Sequence, residues 1–277
     1  MLESATTRRR PERILPLQAP RMVSPVKQIH HVIFLSFLIA LQTSAQTSKG
    51  SRSYSKDATI SQSGGTVHIV ANSPRPLEQV LDALQQKYGW AINYEDPQYI
   101  SSMDIVTSAG GDSGSKLPAG ETFAVEFSAT AREEEKILHL VVDSYNQSKN
   151  PGRFELRRDT QGNFRVVGTA ARDEKGAISA QPVFLDLPLT LTTEERSVTD
   201  TVNLICEGIA AQNKTAVAVG VSPRGLMNRT LAKVGGTKIP AHDLLAESLT
   251  ATHHNLYWRL LFDADSKSYF LNIHSSR

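Results

Sequence analysis

The chain has 277 residues, 40% of them hydrophobic, and a formal charge of +2, which is enough material for one large core or two cores of about 100 residues each. The charge excludes a nucleic-acid reading. Six Lys/Arg and two Asp/Glu lie in residues 1–45, and without them the balance is 24 against 26, a net −2, with no basic surplus to displace counterions from phosphate. The single cysteine, Cys206, excludes an internal disulfide. On its apolar stretch it reads as a small buried hydrophobe rather than a reactive thiol.

Residues 1–45 read as an export leader. The apolar run 32–41 covers ten residues, against roughly 20 for a membrane-crossing helix. Thr43-Ser44-Ala45 supplies the small residues a signal peptidase takes, placing the cut before Gln46. No cysteine stands at that junction for a lipid. Met22 opens a compact signal peptide of its own, which would leave residues 1–21 untranslated. Arg8-Arg9-Arg10 is a weak twin-arginine signal, because Pro-Glu-Arg follows it and the apolar run starts well downstream. The expectation is a periplasmic or secreted protein with no stable membrane anchor once the leader is gone.

Residues 46–65, rich in Ser, Thr, Lys and Gly, read as a flexible lead-in. A strand at 66–70 follows, and Pro74 and Pro76 stop it. Leu77, Val80, Leu81, Leu84 and Tyr88 recur at helical spacing, and Gly89 suits a helix C-terminus. Residues 90–94 read as a strand, 108–120 as a glycine-rich loop, and 122–128 as an alternating strand. Glu133, Glu134 and Glu135 then open a helix whose apolar face is Leu138, Val141, Val142 and Tyr145. Strands at 153–158 and 163–169, joined by an Asp159-to-Gly162 turn, close the first half.

Residues 171–181, charged and with Gly176, read as a linker. The second half repeats the order. A strand at 183–191 precedes Ser197-x-x-Asp200, which resembles a capping box, and a helix with Val198, Val202, Ile205 and Ile209 inward. Strands at 215–221 and 230–234 follow, then a helix after Pro240 with Leu244, Leu245 and Leu249 inward. A hairpin alternates Leu256, Trp258, Leu260 and Phe262 against Tyr269, Leu271 and Ile273. The fold class is α+β: two tandem small domains, 66–170 and 182–277, each β-α-β-β-α-β-β with two helices packed between small sheets.

Candidate chemistry is sparse. Gly111-Asp112-Ser113-Gly114 matches the tetrad around a trypsin-like nucleophile, but the rest of that fold is missing. Adjacent His253 and His254 would point to opposite faces of a strand, and His68, His139 and His274 are isolated. Gly235-Gly236-Thr237 lacks the Lys-Ser/Thr of a phosphate loop. Trp90, Tyr94, Tyr99 and Trp258 read as core or hairpin packing, with a ligand-facing surface as the alternative. No catalytic, cofactor-binding or metal-binding residue is assigned.

From Pro76-Leu-Glu-Gln-Val-Leu to Gly89-Trp-Ala-Ile-Asn-Tyr-Glu-Asp96 the sequence resembles the secretin and TonB short N-terminal domain family, with its Pro-Leu helix start, spaced leucines, glycine and apolar strand. Ile239-Pro-Ala-His-Asp-Leu-Leu before the last hairpin is similar. The resemblance implies two helices between small sheets and a periplasmic docking module. It departs from the family in its longer glycine-rich loop and in Trp90. The functional expectation is an exported bacterial cell-envelope protein that binds another envelope protein without catalysis. An envelope hydrolase assembled from distant residues and a small-ligand carrier using an interdomain cleft are the alternatives. The expected docking edge lies on a closing hairpin, with Tyr269, Asn272, His274 and Val166 as candidates.

Overall fold

Gly64 and Gly65, both at positive φ (54° and 79°), turn the chain between β1 (Thr59–Ser63) and β2 (Thr66–Ala71), because two left-handed residues match the twist of a tight hairpin. β1 thus occupies part of the expected flexible lead-in. A computed structural model describes residues 54–108, 114–131 and 133–275, all of them in one unit, Lys49–Arg277. The leader reading and residues 109–113 lie outside the described residues.

Helix α1 (Pro76–Tyr88) starts on the proline and ends at Gly89, at φ 74°, whose N–H donates to Gln85 O. Its leucine and valine face is fully buried. β3 (Ile92–Glu95) follows, then β4 (Ile105–Thr107) and β5 (Lys116–Pro118), which pair antiparallel across the glycine-rich segment. β6 (Phe123–Ser128) alternates buried and exposed residues, and α2 (Glu134–Gln147) buries Leu138, Val141, Val142 and Tyr145. β7 (Arg153–Arg158) and β8 (Phe164–Arg172) form a hairpin. Asp159 shapes its turn by accepting from Gln161 N and Asn163 N.

The expected linker is instead largely a hairpin. β9 (Ile178–Ala180) pairs with the end of β8, and Asp173 accepts from Lys175 N and Ala177 N across a turn with Gly176 at φ 85°. Asp173, Glu174 and Lys175, which suggested a solvated linker, sit on that turn, whereas Arg172 ends β8 and pairs with the buried Asp104. A short 3-10 turn, Phe184–Asp186, precedes β10 (Pro188–Ser197). Ser197 caps α3 (Val198–Asn213) by accepting from Asp200 N at 3.0 Å. Then come β11 (Val217–Val219), the short α4 (Arg224–Arg229), β12 (Leu231–Pro240), α5 (Ala241–Thr250), β13 (Leu256–Asp263) and β14 (Ser268–Ser275). Gly235 lets β12 press on β10, since a Cβ there would lie 2.7 Å from Thr193 Cα.

The two halves pair alike. β2 and β6 are antiparallel, as are β10 and β12. β3 runs parallel to β8, as β11 does to β14. A hairpin, β7–β8 or β13–β14, closes each half. The halves then merge: β13 pairs in parallel with β3, giving one sheet in the order β11-β14-β13-β3-β8-β7, with β9 beside β8.

Register decides where the cores lie. Arg259 stands opposite Tyr94, and Leu260 opposite Glu95; paired residues project to the same face of a sheet. Tyr94 belongs to the first core, with α1 and α2, and Leu260 to the second, with α3 and α5. The two helical layers therefore cover opposite faces of the shared sheet. Leu81, fully buried in the first core, gauges that packing: Leu81→Ala should lower unfolding free energy by about 2 to 5 kcal/mol through the cavity it leaves, read as a lower urea midpoint at unchanged slope.

Candidate functional site: an open sheet edge beside a polar seam

The β3–β13 pairing is short, and side chains reinforce it from both halves. Asp96, 1% exposed, accepts from Arg75 Nε at 2.6 Å, Tyr94 OH at 2.7 Å and Phe262 N at 3.0 Å. Arg75 Nη2 donates in turn to Phe262 O at 2.6 Å, and Asn93 Oδ1 accepts from Trp258 N at 3.0 Å. Polar side chains also cross the seam in both directions. Arg259 of the second half projects into the layer of the first and pairs with Asp82 on α1 at 2.7 Å, with Gln85 and Ile92 O as further acceptors. Glu95 of the first half projects into the layer of the second and accepts from Phe184 N and Leu185 N.

Burial dominates Glu95 and pushes its carboxyl up to about 8, against the opposing pull of Arg165 and the two backbone N–H groups. The fold therefore holds a proton there through neutral pH.

The chemical candidates do not assemble. Gly111 to Ser113 lie outside the described residues. His253, at φ 56°, and His254 sit in a turn rather than on a strand, so they do not take opposite faces. Both line one pocket of about 350 Å³ with Asn93, Asn163 and Trp258, and its lining brings no carboxylate or thiol to the imidazoles. Among the described residues no group of three or more His, Cys, Asp or Glu could hold a metal ion. Burial pushes the Cys206 thiol up to about 12, which suits an inert core residue. Tyr94, Tyr99 and Trp258 are buried, and Trp90 stacks on Tyr88 at 4.7 Å between ring centroids. No described helix is long and apolar enough to cross a membrane.

The four residues expected on a docking edge occupy interior strands. Tyr269, Asn272 and His274 lie on β14, between β11 and β13, and Val166 lies on β8, between β3 and β7. Ile273 N–H donates to Val221 O, so the N–H of Asn272 points the other way, into β13. Asn272→Pro would break that ladder instead of sparing the fold. Asn272 Oδ1 is also occupied, accepting from Val221 N at 2.8 Å.

The open edges of the long sheet are β11 and β7; among the described residues neither has a strand on its outer side. Tyr269 N–H donates to Ala216 O, and Gly220 N–H to Leu271 O. That parity turns the backbone groups of Val217 and Val219 outward. Beside this edge an open groove of about 410 Å³ is lined by Val221, Phe270, Leu261 and Leu117, together with the charged Arg75, Lys116 and Asp263. Val221 is 65% exposed and Phe270 39%. Unpaired backbone and exposed apolar side chains thus adjoin, which is the chemistry of strand addition. No local pattern marked β11 as an edge, because residues 215–221 read like any other strand.

Known family models, curated proteins and solved structures contain no match to the chain.

Glu95 makes the seam pH-sensitive. Below about 4.5 both states hold the proton; between 4.5 and 8 only the folded chain does, so stability is lost as pH rises through that window. Relative to Glu95→Gln, which keeps an acceptor for Phe184 N, the unfolding free energy of the natural protein should fall between pH 4.5 and 8. Parallel curves would show that Glu95 is charged in the fold.

Proposed function

We propose that the protein is an exported cell-envelope interaction module, free of catalysis, that binds a protein partner by adding a strand to β11. The reading also takes the two halves as tandem units of the secretin and TonB short N-terminal kind. The repeated pairing pattern and the resemblance around 76–96 support that assignment. The observation that carries the docking role is the outward-facing backbone of Val217 and Val219 next to the exposed apolar groove. The seam supports it further, since the same chain already joins its halves by edge-to-edge strand pairing. A hydrolase would need converging titratable groups in a cleft, and a carrier an enclosed apolar pocket. The histidine pocket brings two imidazoles but no carboxylate or thiol to work with them, and the open groove is not an enclosed pocket.

Val219→Pro removes an outward N–H and leaves the ladder to β14 intact. A photocrosslinking residue at Ala218, an exposed position on β11, should yield a discrete adduct in the native cell. Adding Val219→Pro should abolish it at unchanged near-UV circular dichroism, and the same crosslinker at Lys87 on α1 should yield none. An adduct that survives Val219→Pro, or equal adducts from both positions, would rule out the edge.

A further inference from the structure

We infer that the strand received by β11 is β7 of a second copy of this chain, so that molecules join head to tail. This deepens the reading of β11 as a docking edge by naming its occupant. The junction it requires is already built once inside the molecule. β13, the first arm of a closing hairpin, pairs in parallel with β3, the strand after a half's first long helix. β7 is the first-half counterpart of β13, since both are antiparallel to the last strand of their half. β11 is the second-half counterpart of β3, since both run parallel to that last strand. One such pair is joined at the seam; the other is left open at the two ends of the sheet.

The match extends to the backbone. At the seam, Trp258 N–H is taken by the side chain of Asn93, and Leu260 then pairs with β3: its C=O accepts from Asp96 N at 2.9 Å. On β7, Phe154 N–H is taken by the side chain of Asn146 at 2.9 Å, and Asn146 Nδ2 donates to Phe154 O. That leaves the outward groups of Leu156 and Arg158 for a partner strand, two and four residues on, as Leu260 and Phe262 are from Trp258. Two of the three arginines on β7 are already paired with carboxylates, Arg157 with Glu155 and Asp186 and Arg158 with Glu135, and Arg153 donates to the carbonyls of Asn150 and Gly152.

The faces agree as well. At the seam, the second half lays Phe184, Leu185 and its helical layer over the face of β3 that its partner helices leave bare, where Glu95 projects. A copy docked through β7 in the same relation would lay its α2 layer over the uncovered face beside β11. That is where Val221 and Phe270 are exposed. Because β7 and β11 are different surfaces, the contact is heterologous: it does not stop at a dimer but runs on from copy to copy, into open chains unless the rotation between copies closes a ring.

Sedimentation velocity on the purified protein over a wide concentration range tests this. The weight-average mass should rise with concentration without settling at a dimer. Val219→Pro and Leu156→Pro, each blocking one edge, should each be monomeric. An equimolar mixture should reach twice the monomer mass and go no further, because one intact β7 meets one intact β11. A natural protein monomeric throughout while the Ala218 crosslink persists would overturn the second copy as occupant and leave the docking edge standing. A mixture that stays monomeric while the natural protein associates would place the contact elsewhere. If either proline unfolds the chain, Ala218→Asp and Arg158→Asp, both at exposed positions, carry the same mixing test.

Discussion

Asp96 and the charges around it hold the molecule together at its narrowest point. Only two residues of β13 stand in register with β3, too short a ladder to bind two helical layers without help. A buried carboxylate that keeps Arg75, Tyr94 and a backbone N–H as donors supplies that help. It also demands it, because losing any one partner would leave polar groups unsatisfied in a dry interior. Arg259 and Glu95 add the same demand in opposite directions, each projecting into the other half's layer. Sliding or parting the halves would expose both.

The one-residue alternation of a strand converts that seam into the shape of the whole. Because Tyr94 and Leu260 project to opposite faces, the helices of the two halves cannot share a side. Each half therefore leaves the other face of its own strands to be covered from outside. The first half finds that cover in residues 184–185 of the second, whereas the second half keeps exposed Val221 and Phe270 beside β11. The open edge and the bare face are consequences of one register choice rather than separate features.

Local order was readable from the sequence where one element carries its own signal. The spacing of Leu77, Val80, Leu81 and Leu84, the glycine stop at Gly89 and the Ser197 cap all give elements within a few residues of those observed. Gly64-Gly65 was a readable hairpin signal too, hidden by the polar composition of β1. The α+β class followed from these. What no window reveals is the pairing of β3 with β13, where Asn93 and Trp258 lie 165 residues apart in the chain, because nothing in either strand encodes its distant neighbour. The docking residues were misplaced for that reason: a closing hairpin looks terminal in sequence, yet β14 gains β11 on one side and β8 gains β3. Glu95, just past the strand read at 90–94, gave no sign of its burial.

The seam's role is tested most directly by native-state hydrogen exchange on amides in the two cores, Val141 on α2 and Ile205 on α3, in the natural protein and in Asp96→Asn. If the seam makes the described residues one cooperative unit, both amides should report the same opening free energy, and Asp96→Asn should lower both by the same amount. Different opening free energies in the two cores, or a loss confined to one of them, would contradict it.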